Sequence, residues 1–161
     1  MSKKIEILGL ISDTHGLLRE EAVHALRGSD LILHAGDVGA PEILDSLRAL
    51  APVVAVRGNV DTGPWARALP LTEVILAGST RVYMLHILQD LDINPEAAGI
   101  HIVVSGHSHK PVQEDKSGVL YVNPGSAGPR RFQLPVTVAR LDLRDQPWKV
   151  EFIVLGERSR V

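Results

Sequence analysis

Three short apolar runs, each ending on polar residues, most constrain what this chain can fold into. Residues 5–12 are interrupted only by Glu6, residues 31–35 lead into Gly36-Asp37, and residues 52–56 lead into Arg57-Gly58-Asn59. A half-exposed strand alternates apolar and polar residues, whereas a continuous apolar run marks a strand buried on both faces, as in a parallel sheet covered by helices. The segments between the runs carry helix signals. Residues 19–27 place Ala22, Val23 and Leu26 at helical spacing and stop at Gly28, a suitable C-terminal cap. Pro41 suits the first turn of a second helix whose apolar face carries Ile43, Leu44, Leu47 and Leu50.

After Gly63 the pattern changes to shorter strands and tight turns. Residues 72–76 and 81–86 flank Gly78-Ser79, and residues 113–116 and 119–122 flank Ser117-Gly118, both hairpin signals. Residues 95–99 read as a single helical turn, 100–105 as a buried strand, and 136–143 with 149–154 as a closing antiparallel pair. No repeat, charged tail or low-complexity linker interrupts the chain. The expectation is an α/β protein with two packed sheets in one domain spanning residues 1–161.

Composition narrows the function classes. Hydrophobic residues make up 45% of the chain, enough for a buried core, and the net charge of −2 with no basic run argues against a general nucleic-acid surface. A small nucleotide or a strand end stays open as a substrate. Cysteine is absent, so any metal must be held by imidazole, carboxylate and amide oxygen. The N-terminus carries no export signal, and no apolar stretch approaches the ~20 residues of a membrane span. A cytoplasmic protein is expected, and self-association into a homo-oligomer is compatible with the sequence.

In open parallel sheets, ligands collect beyond the carboxyl ends of the strands, where Asp13, Asp37 and Asn59 all fall. The strings Asp13-Thr14-His15 and Gly106-His107-Ser108-His109, with a lone His86, add further donors at strand ends. Together Asp13, His15, Asp37, Asn59, His86, His107 and His109 offer oxygen and nitrogen ligands for two divalent ions. A metal pair about 3.5–4 Å apart can bind phosphate and activate a water against it, so hydrolysis of a phosphate ester is the expected chemistry.

These strings, in this order and followed by Asn123-Pro124-Gly125-Ser126, resemble the calcineurin-like metallophosphoesterases, particularly the small bacterial and archaeal phosphodiesterases. The resemblance runs from residue 5 to about 131 and implies a four-layer α/β/β/α sandwich of two mixed sheets with a dinuclear site at one edge. It assigns Asp13, His15 and His109 to one ion, Asn59, His86 and His107 to the other, and Asp37 to both. It also makes Asp37, Asn59, His86 and His107 the catalytic residues. Physical arguments agree with this division. Gly106 frees the backbone so that His107 and His109 can address different ions, and the short Asp37 can use both carboxylate oxygens. Asn59 adds no charge, so two divalent ions less two carboxylates leave about +2 to attract phosphate and acidify water. A hydroxide bridging the ions would attack phosphorus in line with the leaving oxygen, while the ions offset the developing charge. Imidazole-rich ligation favours manganese, iron, cobalt, nickel or zinc over an all-magnesium site without choosing among them, and of these two manganese ions are the expected cofactor.

Departures from the family pattern are specific. Many members place a histidine directly after the Gly-Asn pair, where it protonates the leaving group, but here that residue is Val60. General acid help is worth roughly 10²–10⁴ in rate, so slower turnover and a bias toward good leaving groups are expected. Ile87 follows His86 where the family usually has glycine, and residues 86–107 form a short stretch that should reshape one wall of the pocket. His34 is read as a hydrogen-bonding support, His24 and His101 as ordinary helix and strand-start residues, and Asp61 as either a ligand orienter or a turn cap. Arg57, Lys110, Arg130 and Arg131 lie near the site loops as phosphate contacts or solvated charges. Residues 123–126 form a Pro-Gly turn whose amides could also line the pocket. The alternatives to a phosphodiesterase are a phosphomonoesterase or nucleotide pyrophosphatase on the same site. A protein-binding scaffold is the third, since the family's retromer subunit keeps the fold with an altered metal site.

Overall fold

The computed structural model of this protein describes residues 3–156. Strands β1 (Ile7–Ile11), β2 (Leu31–His34) and β3 (Val53–Ala55) run parallel, separated by helices α1 (Glu20–Leu26) and α2 (Pro41–Arg48). Strands β9 (Thr137–Asp142) and β10 (Lys149–Val154) extend the sheet antiparallel, giving the order β10-β9-β1-β2-β3. The second sheet is built from β4 (Thr72–Ala77), β5 (Thr80–Leu85), β6 (Ile102–Val104), β7 (Pro111–Lys116) and β8 (Val119–Pro124). Its order is β4-β5-β6-β8-β7, with β5, β6 and β8 parallel.

The continuous apolar runs have the expected cause. Leu8, Leu10, Leu31, Leu33 and Ala35 point into the core between the sheets against Val82, Met84, Ile102 and Val104. Ile11 and Ile32 point the other way, packing with Leu26, Ile43, Leu44 and Leu47 of the two helices. With a side-chain period of two, both faces of β1 and β2 must be apolar, and no solvent-facing alternation remains in the sequence. The hairpins form as expected, with Ala77 opposite Thr80 and Lys116 opposite Val119. Ser117 and Gly118 both have positive φ, 51° and 77°, the backbone a two-residue turn of this hand requires.

The structure adds elements that the sequence reading lacked. Pro64–Arg67 forms a four-residue helix α3 after Gly63, and a 3-10 helix spans Leu88–Asp90. Residues 95–99 form a turn. That turn and the 3-10 helix are the thin outer cover of the second sheet, where Leu88, Leu91 and Ile93 pack on Tyr83, Leu85 and Val103. β1 begins at Ile7 rather than residue 5, and the amides of Glu6 and Ile7 both donate to Asp30 Oδ2 at 2.9 Å. Among the described residues, no helix is long and apolar enough to cross a membrane.

Candidate metal centre

The register aligns Ile11 with His34 and His34 with Ala55, so the carboxyl ends of β1, β2 and β3 open at one edge. β5 and β6 bring His86 and the residues 106–109 loop to the same edge, stitched by the Gly106 amide donating to the His86 carbonyl at 2.9 Å. The loop after β1 continues along the loop after β2: the amides of Asp13 and His15 donate to the carbonyls of Gly36 and Asp37 at 3.0 and 2.9 Å. These tertiary bonds hold the residues in unusual backbone. Asp13, His15, Asp37, His107 and His109 have φ of 55°, 47°, 55°, 71° and 63°. Left-handed backbone costs a non-glycine residue about 1 kcal/mol or more, and such strain clusters at functional sites.

Here one sequence expectation is corrected. Gly106 does not turn the chain by conformational freedom, because the left-handed residues are His107 and His109 themselves. Gly106 is needed for close approach, since a Cβ there would lie 2.1 Å from Ser12 Oγ and 2.9 Å from Asp13 Oδ2. Gly58 serves similarly, as its Cβ would lie 2.1 Å from both the amide nitrogen and Oδ1 of Asp37.

Two groups of donors result: Asp13 with His15 and His109, and Asp37 with His86 and His107. Asp13 uses Oδ2 to accept from the Ser12 hydroxyl at 2.7 Å and the His107 amide at 3.1 Å. Its Oδ1 faces inward, 3.3 Å from His109 Nε2 and 3.7 Å from His15 Nε2. Asp37 Oδ1 accepts from the Val60 amide at 3.0 Å, while Oδ2 stands 3.1 Å from His86 Nε2 and 3.8 Å from His15 Nε2. This carboxylate therefore faces members of both groups. Asn59 Oδ1 lies 3.2 Å from His107 Nδ1, at the more exposed side of the second group.

His86 Nδ1 lies 2.7 Å from the Ala35 carbonyl, so that nitrogen carries a proton and Nε2 keeps a lone pair toward the cluster. Asp13 Oδ1, His15 Nε2 and His86 Nε2 are buried and make no hydrogen bond. Each unpaired buried polar atom costs about 1–3 kcal/mol, and three of them directed at one volume fit a cation. The donor chemistry fits too, combining imidazole nitrogen and carboxylate oxygen without sulfur.

The electrostatics agree. Burial pushes the Asp13 carboxyl up, but His15, Ser12 and the charges of His86 and His109 outweigh it and hold the carboxyl below its ordinary range. Asp37 behaves alike: burial raises it, and His86 with the Val60 amide lowers it further. Both carboxylates stay ionised and ready for a cation. Burial drives His86 down, yet the bond to Asp37 and the charge of Asp13 outweigh it and raise it.

His34 supports the cluster, as expected. The Gly36 amide donates to its Nδ1 at 3.1 Å, its Nε2 bonds the Thr14 hydroxyl at 3.0 Å, and that hydroxyl donates to the Val38 carbonyl at 2.8 Å. One proton assignment satisfies the whole chain, with His34 neutral, and burial lowers its pKa to about 4. Asp61 proves to be a brace between loops, accepting from the amides of Val38, Gly39 and Gly58 at 3.2, 2.9 and 2.9 Å. Residues 123–126 also brace. Asn123 Nδ2 donates to the Gly106 carbonyl at 2.9 Å and its Oδ1 accepts the Gly125 amide, so that amide is not free to line a pocket. Sequence reasoning missed Ser12, Thr14 and Ser126, whose hydroxyls hold the Asp13 loop; a small hydroxyl beside each string was the available signal. Arg130 and Arg131 are exposed.

Two mixed sheets with imidazole and carboxylate clusters at their shared open edge define a metal-site α/β protein. The chain belongs to the calcineurin-like phosphoesterase superfamily, whose domain matches residues 7–146. A probable metallophosphoesterase of Methanothermobacter thermautotrophicus is 34% identical over 149 residues, 84% of this chain and 86% of that protein. A solved archaeal phosphodiesterase superposes with a TM-score of 0.77 at 20% identity, covering 91% of this chain and 99% of that one. Vps29 of Chaetomium thermophilum superposes at 0.74 with 19% identity, covering 92% and 95%. Both of these structural likenesses establish the fold alone.

Proposed function

We propose that this chain is a phosphodiesterase that works with two divalent ions, manganese foremost. Asp13, His15 and His109 would hold one ion, and Asn59, His86 and His107 the other, with Asp37 shared. The observation that carries this reading is the position of Asp37 Oδ2, 3.8 Å from His15 Nε2 and 3.1 Å from His86 Nε2, among buried donors that lack partners. Bound there, the ions would supply Lewis-acid polarisation of a phosphoryl oxygen and lower the pKa of a water toward about 7.

The chain's own residues prepare that site. The Ser12 hydroxyl and His107 amide fix Asp13 so that only Oδ1 faces inward. The Ala35 carbonyl fixes the His86 tautomer, and the Val60 amide fixes the rotation of Asp37. Preset orientation means little reorganisation at the moment of reaction. Val60 itself donates no side-chain proton to a departing alcohol, which favours esters of acidic alcohols. A cleft of about 290 Å³ beside His86 and Asn59 has room for a second esterified group, and a monoester has none to fill it.

Protein stripped by a chelator and refilled with manganese, nickel or zinc is expected to hydrolyse bis(p-nitrophenyl) phosphate faster than p-nitrophenyl phosphate. Faster cleavage of the monoester would move the reading to a phosphomonoesterase. No cleavage of either ester with any metal would overturn it.

A further inference from the structure

The cleft beside the second donor group is built from three separate segments. Arg57, Gly58 and Asn59 follow β3, Leu71 and Thr72 lie at the start of β4 with Leu71 just before it, and Leu85, His86, Ile87, Asp90 and Asp92 run from the end of β5 through the 3-10 helix to just beyond it. It shares Asn59 and His86 with the cluster, so a group filling it lies beside the proposed phosphate position. Leu71, Leu85 and Ile87 make it apolar, and Leu71 is 61% exposed. Ile87 stands where the family pattern has glycine, so this chain adds apolar surface at that position.

The polar groups are of opposite sign. Arg57 lines the cleft together with Asn59. Asp90 and Asp92 contribute to the wall from the 3-10 helix and just beyond it, and among the described residues neither carboxylate has an ion-pair partner within 4.0 Å. A carboxylate accepts hydrogen bonds and repels a second anion. Apolar walls with a few placed polar groups are the usual makeup of a pocket that selects an organic ligand.

We propose that this cleft selects the second alcohol of the diester, taking an apolar group that carries N–H donors and rejecting an anionic one. Leu71, Leu85 and Ile87 hold its body, and Asp90 and Asp92 accept from its N–H groups. The inference rests on the phosphodiesterase reading. An amine and a nucleobase share this chemistry, and the substrates separate them.

Four esters that release the same p-nitrophenolate test it on the manganese-loaded full chain. Their second groups are methyl, p-nitrophenyl, 2-aminoethyl and thymidine 5′-yl. Donor-bearing esters are expected to exceed the methyl ester in kcat/KM by about tenfold, through KM. The better of the two identifies the source as amine or nucleoside. In D90N/D92N, both positions being exposed, the ratio of donor-bearing to methyl ester is expected to fall at least about fivefold. Equal kcat/KM for all four esters, or an unchanged ratio in the variant, overturns the inference while leaving the phosphodiesterase reading standing. Absence of metal-dependent cleavage of all four overturns that reading and this one with it.

Discussion

His86 and Ala35 are joined by a hydrogen bond of 2.7 Å that links the lone histidine after β5 to the residue before Gly36-Asp37. The backbone that carries Asp37 thereby sets which nitrogen of the imidazole faces the cluster. The bond crosses from one sheet to the other, as does the bond from the His107 amide to Asp13 Oδ2, so the two halves of the proposed site are tied together directly.

Replacing His86 by alanine removes one inward nitrogen and leaves the other donors in place. H86A is expected to fold, to bind one manganese ion tightly rather than two, and to lose at least about 100-fold in kcat. Metal stoichiometry on gel-filtered protein checks this, and two tightly held ions in H86A would contradict the assignment.

Gly58 tests the packing behind Asp37. A methyl group there would lie 2.1 Å from the Asp37 amide nitrogen and Oδ1, a contact that backbone must move to relieve. G58A is expected to lose about 1–3 kcal/mol of stability and to bind metal more weakly, measured by denaturant unfolding with and without manganese. Unchanged unfolding would show that the loop yields freely.

Val60 tests the missing proton donor. Its side chain is 49% exposed while its amide holds Asp37, so the amide contact survives substitution. Across diesters of increasingly basic leaving alcohols, the rate is expected to fall steeply. V60H should flatten that dependence, raising the poorest substrates by about 10²-fold. Rates indifferent to leaving-group acidity in the unaltered protein would contradict this account.

His34 gives a pH prediction with a definite sign. Its pKa falls from 6.5 in the unfolded chain to about 4 in the fold, because burial disfavours the imidazolium. Between those values the unfolded chain binds the extra proton, so stability is full above pH 6.5 and declines as pH falls toward 4. The loss amounts to about 3 kcal/mol. His86 is shifted upward and His109 downward, so the comparison with H34Q isolates the term. The difference in unfolding free energy between the two proteins is expected to change by that amount from pH 7 to pH 4. A constant difference would mean that His34 is not held neutral.

Much of this architecture was legible because burial leaves a mark on sequence. Runs such as 31–35 must be apolar on both faces, and the polar residue that follows each marks the end of a strand. The short helix Pro64–Arg67 was not legible, since four residues show no periodicity. The left-handed backbone of Asp13, His15, Asp37, His107 and His109 was equally hidden, because tertiary bonds between loops impose it on residues that would otherwise avoid it. Gly106 and Gly58 were visible as glycines, but their need for close approach to Asp13 and Asp37 depends on segments distant in sequence. Asp61 could be noticed without being interpreted, as its three amide partners come from two loops.

The central claim is that two ions share Asp37. Crystals of the chelated protein soaked in manganese, with data collected for anomalous scattering, test it most directly. The account predicts two anomalous peaks about 3.5–4 Å apart, one beside Asp13, His15 and His109, the other beside Asn59, His86 and His107, with Asp37 between them. A single peak, or peaks away from these side chains in an intact fold, would contradict it.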